Sequence, residues 1–347
     1  MENILSYCRE YPDLELQDLF KFLYQNCFGC SHFSGTFPVA LEQILREAEF
    51  AQSDVLPEIE ILGEKYARIH LKYLKHGLSP ETLCRLFLLS AEEKHATSHL
   101  LRKKLEILSA AAADGSVPFS EKDMNTAIQS WEQTGFQPCH HSDSFKQSYH
   151  PFYRVIKKEF LPLLPLLLEI DKALHLKPNV SVAIDGRCAS GKTTLAAFLE
   201  KIYSCNVYHM DDFFLRPEQR TPERLRTPGG NTDHKRFLEE ILLPAVNGQK
   251  PVYRKYDCHT HTLGPEVTVE PHPLLVTEGS YSLHPALSGY YDIKVFLDIE
   301  PDLQRQRILL RNKNTAERFF QEWIPLEERY FESFDIRRHS DLTLVLS

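Results

Sequence analysis

Gly186, four intervening residues, and then Gly191, Lys192 and Thr193 follow directly on an apolar run of Val182, Ala183 and Ile184. This is the spacing G-x-x-x-x-G-K-[ST], a loop that wraps phosphate groups. It restricts the fold more than any other stretch, because it works only between a strand and a helix. The glycines let the backbone curl until successive N–H groups converge on phosphate oxygens. A helix-forming run of Leu195, Ala196, Ala197, Phe198 and Leu199 comes next, and its positive end points at the same place. The expected cradle is Gly186, Arg187, Cys188, Ala189, Ser190, Gly191, Lys192, Thr193 and Thr194. Lys192 is spaced to reach the outer phosphates as a point charge, and the Thr193 hydroxyl to bind Mg2+.

From residue 178 onward, apolar strands alternate with helical stretches. Strands are expected at 181–185, 205–210, 273–277, 293–298 and 341–346, and helices at 191–203, 232–246, 302–312 and 315–333. Asn231 or Thr232 is the expected cap of the second helix. Alternation of this kind predicts an α/β domain, a P-loop NTPase-type parallel sheet flanked by helices, with ligands at the carboxyl ends of the strands. The first 150 residues read as mostly α-helical: 18–23 and 40–50 carry apolar residues at helical spacing, and Ser79-Pro80 starts a further helix. The expected organisation is a helical domain over 1–150, a connecting helix over 151–177 and a P-loop domain over 178–347.

The chemistry-bearing residues fall where strands end. Asp211 follows the second strand, where a carboxylate beside a P-loop can take the proton of an attacking hydroxyl or hold Mg2+. Glu278 follows the third strand, and a carboxylate there suits Mg2+ through water. Between them lies a long excursion with Arg216, Arg220, Arg224 and Arg226, then a hairpin over 251–270 that carries Tyr256, Asp257, Cys258, His259, Thr260 and His261. Insertions of that length at a ligand rim build acceptor sites. Arg307 and Arg311 stand one turn apart on a late helix, spaced to close over phosphates.

Together these residues resemble the uridine kinase and phosphoribulokinase superfamily of P-loop kinases, over roughly 178–347. The resemblance implies ATP and Mg2+ as cofactors and a kinase fold for that half. Its Q-D-S-F-Y motif looks like Met210-Asp211-Asp212-Phe213-Phe214, which implies Asp211 as the base, with Lys192 as the other catalytic group. Its N-F-D-H-P motif looks like Asn231-Thr232-Asp233-His234, implying that Asp233 binds ribose hydroxyls. Its Y-D-F-x-x-H motif looks like Tyr256 to His261, implying base recognition by Tyr256 and His261. Glu278 and Thr193 are the implied metal residues, and Arg307 and Arg311 the implied phosphate-covering ones. The sequence departs from the family at Cys258, where a stacking Phe is usual, and at Phe214, where a Tyr is usual. The implied activity is transfer to the 5′-hydroxyl of a nucleoside such as uridine or cytidine. Pantothenate, glycerate or ribulose phosphate are alternative acceptors, and a nucleotide-dependent sensor is the alternative from another class.

A net charge of −8 argues against a nucleic-acid binder working by phosphate neutralisation. Phe160 to Leu168 is the longest apolar stretch, interrupted by Pro162 and Pro165 and too short to span a bilayer. The Met1 end carries no signal-peptide pattern, so the chain reads as cytoplasmic, with its eight cysteines as thiols. Cys27, Cys30 and His32, with Cys139, His140 and His141, raise a zinc reading, but the spacing favours buried cysteines and surface histidines. Cys258, His259 and His261 raise the same reading, with polar substrate recognition preferred. Residues 141–157 read as a polar loop, with Arg154 a candidate anion ligand. A homo-oligomer is compatible with all of this; the oligomeric state and the role of 1–150 stay open.

Overall fold

The computed structural model describes residues 2–51, 56–92 and 98–346. The chain divides into two compact units, 1–161 and 162–347. None of the helices among the described residues is long and apolar enough to cross a membrane.

The first unit is helical with a small sheet that its sequence does not announce. Helices include Leu16–Phe28, Phe37–Ala48, Pro80–Ala91, Ser98–Ala113 and Glu121–Gln133. Ser79 caps the third of these by accepting the Thr82 N–H, with Pro80 at the first position, as the sequence implies. The strands β1 (Ile59–Ile61), β2 (Tyr66–His70) and β3 (Tyr153–Lys157) form an antiparallel sheet in the order β1-β2-β3. The polar loop expected over 141–157 is instead a helix, Asp143–Tyr149, followed by β3. Arg154 is not an open anion ligand, since its guanidinium donates to Glu47 at 2.8 Å. Likewise the helix expected over 151–177 begins only at Leu164 and runs to Leu176.

A buried polar network holds this unit together. Asp18 accepts hydrogen bonds from the Ser142 N–H at 2.9 Å, the Ser142 hydroxyl at 2.6 Å and the Glu15 N–H at 3.0 Å, and it meets His141 Nδ1 at 2.7 Å. The far nitrogen of His141 meets the Tyr153 hydroxyl at 2.7 Å. His141 is therefore buried and not a surface histidine; desolvation pushes its pKa down to about 3, so it is neutral. Among the described residues no group of three or more His, Cys, Asp or Glu side chains is placed to hold a metal. Cys27 and Cys30 are buried, as expected of core thiols.

The second unit carries a five-stranded parallel sheet in the order β10-β9-β4-β8-β5. Its strands are β4 (Val180–Gly186), β5 (Cys205–His209), β8 (Leu274–Glu278), β9 (Ile293–Asp298) and β10 (Leu342–Val345), flanked by helices such as Lys192–Ile202 and Pro301–Arg311. A two-stranded hairpin, β6 (Val252–Asp257) with β7 (Thr262–Thr268), stands apart from this sheet. Every residue of β4 is buried, as a central parallel strand requires. Tyr208, Met210, Phe213, Phe237, Ile241 and Tyr253 belong to one core cluster. The expected long helices are broken: 234–246 has a π-helical stretch at Leu238–Leu242, and 316–333 has one at Phe319–Trp323. Such stretches are frequent at functional sites.

Candidate active site

Strand register brings the site together. Glu278 at the end of β8 stands level with Ile184 on β4 and with His209 on β5. Two residues further along β4 comes Gly186, and two residues beyond His209 comes Asp211, so all three reach one rim. β4 is also where the connections turn from one side of the sheet to the other, the place where open α/β sheets bind ligands.

Gly186 adopts φ 133°, and a Cβ there would meet the Leu297 carbonyl oxygen at 2.1 Å, so only glycine fits. Lys192 is buried and donates to the carbonyls of Gly186 at 2.6 Å and Arg187 at 3.1 Å. The Thr193 hydroxyl donates toward both carboxylate oxygens of Glu278, each at 3.3 Å. These two oxygen-bearing side chains are the hard ligands that Mg2+ prefers. The buried Ser190 hydroxyl has no protein partner among the described residues, as expected of a loop built around a phosphate. Burial raises the Cys188 thiol to about 12, which makes it an inert loop position.

Asp211 lies at the open rim in a short 3-10 turn, Met210–Phe213. Surrounding protein and the Glu278 charge raise its pKa, while Lys192 opposes that rise. Glu278 also pairs with His209 at 2.5 Å, and this partner holds the His209 pKa up.

The residues that the resemblance assigns to the acceptor are placed differently from one another. Asp233, not Asn231 or Thr232, caps the helix at His234: one oxygen accepts the Arg236 N–H at 3.2 Å and the other accepts from Gln219 at 2.7 Å. Tyr256 is buried and its hydroxyl meets His261 Nδ1 at 3.1 Å, while Cys258 is exposed at the hairpin turn, close enough for Asp211 and Arg220 to act on its thiol. Arg307 reaches the phosphate loop, donating to the Ala189 carbonyl at 3.2 Å; Arg311 is exposed at its helix end.

Two groups at this rim escape sequence reasoning. The first is Asp185, wholly buried, which accepts the N–H groups of Gly186 (2.7 Å), Tyr281 (3.2 Å) and Leu283 (2.9 Å) and the Tyr330 hydroxyl (2.9 Å). A charged residue closing an apolar strand was the available signal. The second is Glu327, buried, which accepts the Cys188 N–H at 2.9 Å and the Ser280 hydroxyl at 2.5 Å. Its neighbour Glu328 accepts from Arg187 at 2.6 Å and 3.1 Å, and Arg187 also pairs with Asp298. One helix, Ile324–Ser333, thus grips the phosphate loop through Glu327, Glu328 and Tyr330. No local pattern announces Glu327.

Burial raises Asp185 from the ordinary 3.8 to about 6, against the pull of its hydrogen bonds. Because the folded value is the higher one, this group's contribution to stability is fully present below pH 3.8 and is lost as pH rises through about 6. Asp185→Asn removes that titration. The stability of the wild type relative to the variant, from urea unfolding, is expected to fall by roughly 2–4 kcal/mol between acid and neutral pH; a constant difference would refute it.

The family model described as phosphoribulokinase / uridine kinase family matches residues 181–320. A uridine kinase of Geobacillus sp. (strain WCH70) is 29% identical over 189 residues, covering 48% of this chain and 86% of its own. A uridine kinase of Geobacillus kaustophilus (strain HTA426) is 30% identical over 157 residues, covering 42% of this chain and 72% of its own. The chain belongs to the phosphoribulokinase/uridine kinase family. As a member of that family it is a phosphotransferase that acts on a hydroxyl group, with a nucleotide-binding P-loop. Among solved structures, a possible uridine kinase from Bacillus stearothermophilus aligns at a TM-score of 0.36 and 20% identity, over 52% of this chain and 98% of its own. A D-glycerate 3-kinase from Cryptococcus neoformans aligns at 0.32 and 18%, over 44% and 78%. The family match and both uridine kinase alignments are too short to cover the whole chain; the family model begins after the first unit ends.

Proposed function

We propose that this family member is an ATP- and Mg2+-dependent kinase that phosphorylates the 5′-hydroxyl of a nucleoside, uridine or cytidine. The observation that carries the reading is the rim itself: Asp211 comes within the electrostatic reach of Lys192 and Glu278, at the end of adjacent parallel strands. The uridine kinase relatives support the acceptor class.

In this reading the loop backbone and Lys192 hold the triphosphate, and Thr193 and Glu278 hold Mg2+, which supplies charge neutralisation on the transferring phosphate. Asp211 accepts the proton of the acceptor hydroxyl as its oxygen bonds to the γ-phosphorus. The bond from that phosphorus to the β–γ bridging oxygen breaks, and ADP leaves. Arg307, which donates to the Ala189 carbonyl of the loop, neutralises phosphate charge in this reading. Asp233, Tyr256 and His261 line the acceptor side, with Asp233 oriented by Gln219 and Tyr256 by His261.

A second acceptor class is favoured by one observation. Arg220 is within electrostatic reach of Cys258, the hairpin residue that Asp211 also reaches, and its guanidinium donates to the Leu215 carbonyl at 3.0 Å. A cation there suits an acceptor that already bears an anionic group. The test is ADP release from MgATP against a panel of nucleosides and small hydroxy acids. Stimulation by uridine or cytidine is expected. Stimulation confined to an anionic acceptor would replace the substrate, and nucleotide binding with no stimulation at all would overturn the kinase assignment in favour of a nucleotide sensor.

A further inference from the structure

The proposed acceptor groups come from three separate elements. Asp211 sits in the turn Met210–Phe213, Asp233 caps the helix at His234, and Tyr256 lies on β6. Register in the five-stranded sheet does not align them, because β6 and β7 form a sheet of their own. One side chain touches all three elements. Arg236 is buried, and its guanidinium donates to the Asp212 carbonyl at 3.0 Å and to the Arg254 carbonyl at 2.6 Å. The guanidinium carbon lies 4.1 Å from the centre of the Phe213 ring, and Nε is 3.9 Å from the Asp233 carboxylate. Glu240 accepts a further bond at 3.4 Å. A planar fork of fixed donors can bridge two carbonyls in this way; a lysine ammonium carries the charge without the fork.

The Arg254 contact falls at a break in the hairpin. Tyr253 and Tyr256 are both buried although three residues apart, and strict strand alternation puts such a pair on opposite faces. The ladder changes register between them. Arg254 opposes Glu266 but Tyr256 opposes Leu263, so β7 uses one residue more than β6 over this interval. Irregularities of this kind bend a strand and re-aim its side chains. Arg236 holds the carbonyl at the start of the break. The residue at its far end is Tyr256, whose hydroxyl meets His261.

The other end of the same guanidinium holds the turn of the base. Asp212 follows Asp211 directly, and the Asp233 N–H donates to the Phe213 carbonyl at 2.7 Å, which joins the helix cap to that turn. Lys255 adds a contact to Asp212 at 2.9 Å, but the lysine is half exposed and such pairs contribute little. Buried, charge-assisted bonds to two carbonyls are the stronger tie. The hairpin turn lies near the base, since Cys258 is within electrostatic reach of Asp211.

We infer that Arg236 is a positioning residue for the acceptor. It fixes the break in β6 against the turn that carries Asp211, and so sets the placement of Tyr256 and His261 relative to the base. The inference rests on the nucleoside reading and adds to it the group that makes hairpin, helix cap and base one acceptor site.

Two variants of the full chain test it. Arg236→Lys keeps the charge beside Asp233 and Glu240 and loses the fork. Its kcat/KM for uridine is expected to fall about ten- to hundredfold, the scale on which a displacement of about 1 Å acts. The fall is expected mainly in KM, with the ATP dissociation constant unchanged. Arg236→Ala leaves a gap that fits free guanidinium. Millimolar guanidinium chloride is expected to restore part of the uridine kcat/KM in this variant and none in Arg236→Lys. Hydrogen exchange followed by mass spectrometry, with no substrate present, is expected to speed up in both variants at β6 and at Met210–Phe213, with β4 as in wild type. A uridine kcat/KM close to wild type in both variants, or unchanged exchange, would overturn the inference. So would ATP binding lost in step with uridine, or a failure of both variants to fold, since either makes Arg236 a structural residue alone. A wild type that transfers nothing to uridine overturns the nucleoside reading instead, and the exchange measurement then decides Arg236 by itself.

Discussion

Asp211→Asn is expected to lower kcat by about 10²–10⁴-fold, the range in which a positioned general base contributes, and to leave ATP affinity close to wild type. Asparagine keeps the size of the side chain but cannot accept a proton. ATP is held elsewhere in the proposed mechanism, by the loop backbone, Lys192 and Thr193, and Lys192 keeps its contacts to Gly186 and Arg187 in the variant. Removing a negative charge close to Glu278 relaxes repulsion between carboxylates, so no loss of folding is expected from electrostatics. The measurement is kcat from ADP release at saturating acceptor, with the ATP dissociation constant from calorimetry. A kcat equal to wild type would remove Asp211 from the chemistry. A parallel collapse of ATP binding would make it a nucleotide-site residue instead.

Arg68→Ala is expected to destabilise the first unit by about 3–5 kcal/mol, the cost of breaking a buried charged pair from one side. Arg68 is 3% exposed. Its guanidinium donates to Gln25 at 2.6 Å and 2.8 Å, to Glu60 at 2.8 Å and to the Tyr7 hydroxyl at 3.3 Å, and it lies 4.5 Å from the Tyr153 ring centre. Alanine leaves Glu60 without its partner and strips Gln25 Oε1 of two donors, leaving it the longer 3.4 Å bond from the Tyr153 hydroxyl. The chain has two tryptophans, and Trp131 and Trp323 fall one in each unit. We propose that the units are separate folding domains. Single-tryptophan variants then report each unit by fluorescence during urea unfolding. Arg68→Ala is expected to move the Trp131 transition to lower urea and leave the Trp323 transition in place. One shared transition that shifts as a whole would refute the independence of the units.

The second unit was the more legible in sequence because its physics is local. A buried parallel strand is a short apolar run, a phosphate loop needs glycines at set intervals, and Asp211 and Glu278 are revealed by standing one or two residues past such runs. The small sheet of the first unit gave no such sign. Strand β2 is buried along its whole length and yet contains Arg68 and His70, so neither alternation nor an unbroken apolar run marks it. Those polar groups are tolerable inside only because Gln25, Glu60 and Tyr7 meet Arg68 from other elements. The burial of His141 leaves no local sign for the same reason: its partners, Asp18 and Tyr153, come from different parts of the chain.

The sequence by itself determined the phosphate loop, the α/β alternation around it and the pair of carboxylates on its rim, since each follows from residue spacing over a few turns or one strand. The tertiary structure alone decided that Asp185 is buried under four donors, that Glu327 reaches the Cys188 N–H from a helix 139 residues away in the chain, and that Tyr281 and Leu326 enclose a cavity. A hydrogen bond or a packed ring depends on the distance between atoms. Where the two partners lie on different elements, that distance is set by the packing of the whole unit and leaves no period in the sequence.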